Sequence, residues 1–182
     1  LMHKMDVPLP KARVSEVLGL LEILDDEGGH VDLYRLGRTL GHDIDELIST
    51  IETAQLFGLV DVDNGDVVFT EVGKQFTDQD MEERKRYISE SLSKLPYMVE
   101  LLTALAESEE HSVDMEFLER IIDGEYSERE IKYFVRNILD WARFAELIWV
   151  DSDEQTIHLE TEEEEEQEEN ENNSQQDYQQ EQ

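Results

Sequence analysis

No cysteine occurs among the 182 residues, which excludes disulfides, thiolate metal sites and thiol nucleophiles. No apolar run approaches the roughly 18 residues that a bilayer-spanning helix needs, and the N-terminus lacks a signal-peptide apolar segment. Those absences predict a soluble, cytoplasmic protein with no direct membrane insertion. Positive charge is scarce as well. Fifteen Lys and Arg stand against 47 Asp and Glu, for a formal net charge of −32. A field of that sign repels phosphate backbones, so the chain as a whole disfavours nucleic acid. Only six of the fifteen cations are lysines, a composition also met in salt-adapted proteins.

The acidity is not confined to one end. From Glu160 the sequence runs ETEEEEEQEENENNSQQDYQQEQ, with eleven carboxylates, no Lys or Arg, and Tyr178 as its only large apolar group. Such a composition cannot bury enough surface to offset its ordering entropy, so residues 161–182 are expected to be a disordered acidic tail. Without those eleven charges the body still carries about −21. Leu1 is not an initiator Met, which leaves open a longer polypeptide with a fused upstream part.

What is present is a repeat. A helix running straight into a β-hairpin occurs twice, each time after two shorter helical segments. In the first copy, Val14, Val17, Leu18, Leu21, Ile23 and Leu24 recur at helical spacing until Gly28-Gly29 ends the run. Asp32 then caps a short helix carrying Leu33, Leu36 and Leu40. Asp43 and Glu46 form a capping box, opening a helix expected to bury Ile44, Leu47, Ile48, Ile51 and Leu56. Asn64-Gly65 between two β-rich runs is a strong hairpin signal.

Thr70 to about Phe76 reads as a helical link, followed by a helix from Asp78 or Asp80 through Lys94. Pro96 interrupts it, and a further helix to Ser108 carries Met98, Leu101, Leu102 and Leu105. Asp114 caps Met115–Ile122, Ser127 with Glu130 repeats the capping box, and Ile131, Phe134, Val135, Ile138, Leu139 and Ala142 form a wide apolar stripe. Trp149 and Val150 open the second hairpin, and Ile157 and Leu159 close it. Trp141, Phe144 and Trp149 are expected to seat that hairpin on its helices. Three helices followed by a two-stranded hairpin is the order of a winged helix. The expected fold is therefore α+β, mostly helical, with tandem winged-helix subdomains. The first would take residues 8–77 and the second, with a helical linker, 78–160.

Two constellations bear on function. Arg129, Lys132, Arg136 and Arg143 fall within about 60° of one another at 100° per residue, forming a basic stripe on the second candidate recognition helix. It is either a surface for DNA phosphates, as in helix-turn-helix readers, or a solvated face paired with Glu128, Glu130, Asp140 and Glu146. The body charge favours pairing, and the corresponding first helix, Asp43–Phe57, contains no basic residue. Arg84, Lys85 and Arg86 form the one basic triplet, flanked by Glu82, Glu83 and Glu90, which suits local ion pairing. Asp61, Asp63, Asn64 and Asp66 look like a calcium loop, but the required Gly and Glu are out of place. His3, His30, His42, His111 and His158 are scattered, without the helical spacing that metal ligation favours. No catalytic constellation, metal site or cofactor site is expected.

Three stretches together resemble the AAA-associated domain: PLPKARVSEVLGLLEIL, LVDVDNGDVVFTEVGKQFTDQDMEERKR with its Thr-x-x-Gly-Lys link, and DWARFAELIWVD. That domain follows the ATPase core in ATP-binding subunits of nitrate, sulfonate and bicarbonate-type ABC transporters. The resemblance implies a regulatory or accessory domain, docked on an ATPase subunit or core and peripheral to the inner face of the membrane through that complex. In this setting the Arg84–Arg86 helix would face a partner or another domain. A homodimer is compatible with the sequence. The ATPase P-loop is missing: the only Gly-Lys is Gly73-Lys74, followed by Gln75, with Val68 where the loop's first Gly should stand. Any ATP hydrolysis would belong to another chain or to an upstream part. The competing class is a winged-helix transcriptional regulator using the basic stripe; a scaffold joining two proteins through its wings is a third.

Overall fold

One six-element order occurs twice in the computed structural model, which describes residues 8–122 and 124–161. The first copy comprises α1 (Val14–Asp26), β1 (His30–Asp32), α2 (Leu33–Leu40), α3 (Ile44–Leu56), β2 (Val60–Asp63) and β3 (Asp66–Phe69). After two linking helices, α4 (Glu71–Asp78) and α5 (Met81–Leu92), the order returns. It runs through α6 (Pro96–Glu107), β4 (Ser112–Asp114), α7 (Met115–Ile121), α8 (Glu128–Phe144), β5 (Ile148–Asp151) and β6 (Thr156–Leu159). The protein is thus α+β and mostly helical. The expected acidic tail lies, apart from Thr161, outside the described residues.

Each copy closes a three-stranded antiparallel sheet with its hairpin return strand in the middle, in the orders β1-β3-β2 and β4-β6-β5. Val31 pairs with Val67 and Val113 with Ile157, so each short strand sets one apolar residue against the hairpin. The residue that ends each short strand also caps the next helix. The Asp32 carboxylate accepts from Arg35 N at 3.0 Å, and the Asp114 carboxylate accepts from Phe117 N at 2.9 Å, each satisfying an amide that the helix start leaves unpaired. Capping boxes open α3, through Asp43 and Glu46, and α8, through Ser127 and Glu130.

Both helix-to-hairpin corners use the same turn. After α3, Gly58 has φ +71° and Leu59 N bonds to Ala54 O. After α8, Glu146 has φ +56° and Leu147 N bonds to Ala142 O. A left-handed residue satisfies the last helical carbonyls in each case; glycine adopts it freely, whereas glutamate does so at a cost. At the first hairpin tip, Asn64 and Gly65 both have positive φ, as a primed two-residue turn requires.

A continuous apolar core runs through both copies, including Leu20, Leu24, Leu36, Ile51, Leu101, Ile138 and Ile157. One sequence expectation is corrected. Ile44 and Ile48 are 56% and 44% exposed; the buried face of α3 is instead Leu47, Thr50, Ile51, Thr53 and Ala54, because the helix is seated one position around from the apolar count. Trp141 also reaches the first copy: it is fully buried, packs tilted on Phe57 with ring centres 4.4 Å apart, and donates to Ala12 O. Among the described residues, no helix is long and apolar enough to cross a membrane.

Candidate partner-binding surface

Helix α8 divides its faces by chemistry. Its buried side holds Phe134, Ile138 and Trp141, and its outer side exposes Arg129, Lys132, Arg136 and Arg143. The N-terminal segment is fastened across it. Asp140 Oδ2 accepts from Val14 N at 2.9 Å, the Tyr133 hydroxyl donates to the Lys11 carbonyl, and Trp141 Nε1 donates to the Ala12 carbonyl at 2.8 Å. That strap carries Arg13 to the basic face of α8.

The result is a groove of about 480 Å³ between α7, α8, the strap and the second hairpin tip. Arg13, Lys132, Arg136 and Arg143 line it, with Met115, Val135, Leu139 and Val150 as apolar lining, Ser152 and Gln155 from the hairpin turn, and the carboxylates of Glu119 and Asp140. Arg129 lies on the same helix but does not line it. Among the described residues, Arg13, Arg136 and Arg143 form no ion pair. Lys132 has only Glu128 at 4.0 Å, with both side chains mostly exposed, a contact of little energetic weight. Arg136 lies 5.9 Å from the Tyr133 ring centre. The Ser127 backbone N–H, and then its hydroxyl, hold Glu130 below its ordinary carboxylate value, consistent with the capping box.

The basic triplet goes elsewhere. Arg84 Nε donates to Phe76 O at 3.0 Å and its Nη2 to Thr77 O at 2.5 Å, closing the C-terminal end of α4. Lys85 Nζ reaches Glu146 at 2.6 Å and Glu82 at 3.6 Å, joining α5 to the corner after α8. Its hydrogen bond to Glu146 raises the Lys85 ammonium above its usual value, against the opposing effect of partial burial. Arg86 is exposed. The triplet therefore does not form one patch, and two of its members act as structural fasteners.

The outer face of α3 differs from that of α8. It exposes Ile44, Ile48, Asp45, Glu46 and Glu52 and has no cation of its own, although Lys11 pairs with Glu52 at 2.7 Å; Tyr34 on α2 is 77% exposed. Among the described residues no group of three His, Asp or Glu side chains is placed to hold a metal ion.

The link between the copies accounts for the Thr-x-x-Gly-Lys stretch. Thr70 caps α4, its hydroxyl accepting from Gly73 N at 2.8 Å and donating to Gly58 O at 2.6 Å. A Cβ on Gly73 would lie 1.7 Å from the Leu59 carbonyl oxygen, so this glycine lets α4 press against the chain leaving α3. Gly73-Lys74 is thus a packing element with a purpose of its own.

The family model of the C-terminal AAA-associated domain matches residues 34–151. The chain belongs to that family. The match takes in the two later stretches of resemblance, at 59–86 and 140–151, while the opening stretch lies ahead of it. No curated protein and no solved structure matches the chain. In this AAA-associated domain the first copy from α2 onward, both linking helices and α8 lie within the matched span. Arg13, which completes the groove, lies outside it. Local sequence carries no signal for Arg13, because it meets α8 only through tertiary packing.

Proposed function

We propose that this chain is a non-catalytic accessory domain of the ATP-binding subunit of an anion-importing ABC transporter, built from two winged helices and acting by protein–protein docking. It works at the cytoplasmic face of the membrane, held there through the transporter complex, and needs no cofactor. Family membership supports the association with an ATPase. The observation that carries the docking reading is the outer face of α3, the position a winged helix uses for recognition: its own residues offer Ile44, Ile48 and carboxylates but no cation. Such a face suits a protein and repels phosphate. The order helix, strand, two helices, hairpin in both copies supports the winged-helix assignment.

The coding DNA around Leu1 gives the first test: an open frame leading upstream into a P-loop, or a neighbouring importer ATPase gene, is expected. The second is biochemical. The cognate ATPase should co-elute with this chain and change its ATP turnover, and Ile48→Glu should weaken co-elution. The isolated chain should show no saturable ATP binding. No co-elution and no effect on turnover, or micromolar ATP binding by the chain alone, rejects the reading.

One observation favours a DNA-binding regulator instead: Lys132, Arg136 and Arg143 converge with Arg13 on one groove. Neutralising four phosphates would give a log–log salt slope of about −3 to −4. Preferential submicromolar binding to one duplex at physiological salt, abolished by Arg136→Glu, would establish that function.

A further inference from the structure

The groove on α8 concentrates positive charge in a strongly acidic protein. Four of the chain's fifteen Lys and Arg residues line it. Of its two carboxylates, Asp140 already accepts the Val14 amide at 2.9 Å. The three arginines form no ion pair among the described residues, and planar guanidinium groups are well matched to carboxylates. Beneath this basic rim lies an apolar lining that includes Leu139 and Val150. The surface therefore suits a peptide rich in carboxylates with an occasional apolar side chain.

A peptide of that chemistry begins where the described chain stops. Residues 162–182 contain ten carboxylates, no Lys or Arg, and one large apolar side chain, Tyr178. They follow directly on β6, whose turn contributes Ser152 and Gln155 to the groove. From Glu160 back to Gln155 is about 16 Å of extended chain, whereas the 21 residues beyond Thr161 can span up to about 70 Å. Reach is ample. Attachment to the same chain also gives the acidic segment a high effective concentration at the groove without any further contact.

We propose that the acidic C-terminal segment, residues 162–182, docks in cis on the groove of Arg13, Lys132, Arg136 and Arg143. The contact is electrostatic at its rim, so it weakens as salt rises. It does not depend on the accessory-domain reading, since it concerns only this chain's own charges.

The absence of cysteine makes a direct test available. Ser174→Cys in the full chain gives a single attachment point for a nitroxide label. At low ionic strength, amide signals of Lys132, Arg136, Ser152 and Gln155 should broaden several-fold more than those of exposed α3 residues. The excess should disappear when Arg136→Gln and Arg143→Gln are combined, and again near 1 M salt, where the Debye length falls to about 3 Å. Both arginines are exposed, so the neutral variant should keep its fold by circular dichroism. If it does not, Lys132→Gln alone is used and should lower the excess. Broadening no greater at the groove than at α3, broadening centred on another surface, or an excess that survives charge removal would overturn the proposal.

Discussion

Trp141 Nε1 donates a 2.8 Å hydrogen bond to the carbonyl of Ala12, which is 129 residues earlier in the chain. The same indole packs on Phe57 at 4.4 Å, so one fully buried side chain binds the second copy of the fold to both the entrance and the third helix of the first. Lys85 and Glu146, 2.6 Å apart, fasten the linking helix α5 to the corner after α8. The two copies are therefore expected to unfold as one cooperative unit. Trp141→Phe should lose about 1–3 kcal/mol by leaving the Ala12 carbonyl unpaired, and Trp141→Ala about 3–5 kcal/mol. Urea unfolding followed by Trp149 fluorescence and by circular dichroism measures both. Two separated transitions in the parent chain would show that the copies are independent.

Most of the helices were legible because their signals are local. Asp32, Asp43, Asp80, Asp114 and Ser127 each cap the helix that follows, and Asn64-Gly65 turns the first hairpin. Strands β1 and β4 were not. Each has three residues, too few for an alternating pattern, and each exists only through hydrogen bonds to a strand much later in the chain. The exposure of Ile44 and Ile48 was hidden for a related reason: an apolar count along α3 does not say which side the rest of the fold covers. Arg13 joined the groove by the same long-range packing. Its companions on α8 were visible because helical spacing alone places them on one face.

Asn137 is 1% exposed on α8, and among the described residues neither its amide nitrogen nor its oxygen has a partner. It lies one turn from Tyr133 and Trp141, the two residues that fasten the N-terminal strap. A buried amide without partners costs about 1–3 kcal/mol in lost hydration. Asn137→Leu, close in volume, should therefore raise stability by about 1–2 kcal/mol, on the same grounds. The denaturant midpoint should increase with an unchanged m value. A lower midpoint would mean that the amide makes contacts the leucine cannot replace.

Gly73 tests the reading of the Gly-Lys pair as packing. With an added Cβ 1.7 Å from Leu59 O and 2.6 Å from Leu59 C, relief requires backbone movement, since no side-chain rotamer is involved. Thr70 hydrogen bonds hold that backbone on both sides, through Gly73 N and Gly58 O. Gly73→Ala should cost about 3 kcal/mol, at the upper end of overpacking effects. Lys74→Ala, on an exposed side chain, should stay within about 0.5 kcal/mol of the parent. Thermal melts of the two variants give the comparison, and near-equal melting temperatures would show that α4 can move away from Leu59.

Alkaline pH should act on two buried or half-buried groups in the same direction. Burial pushes the Tyr97 phenol well above its ordinary 10.0, and the Glu146 contact raises Lys85 above 10.5. In both cases the protonated form is favoured in the folded state. Their stabilising contribution is therefore complete below the unfolded values, near 10, and is lost as pH rises through the higher folded values. Among the described residues the Tyr97 hydroxyl makes only a long 3.4 Å bond to Pro8 O, so Tyr97→Phe should change stability little at pH 7. Above pH 10 it should flatten the decline, because the phenylalanine chain has no phenol to ionise. Lys85→Met should lower stability at pH 7, by up to about 1 kcal/mol for a partly exposed pair, and should also flatten the alkaline slope. Urea midpoints at pH 7, 9, 10 and 11 separate these effects, and a Tyr97→Phe curve parallel to the parent's throughout would show that the phenol is not the group being titrated.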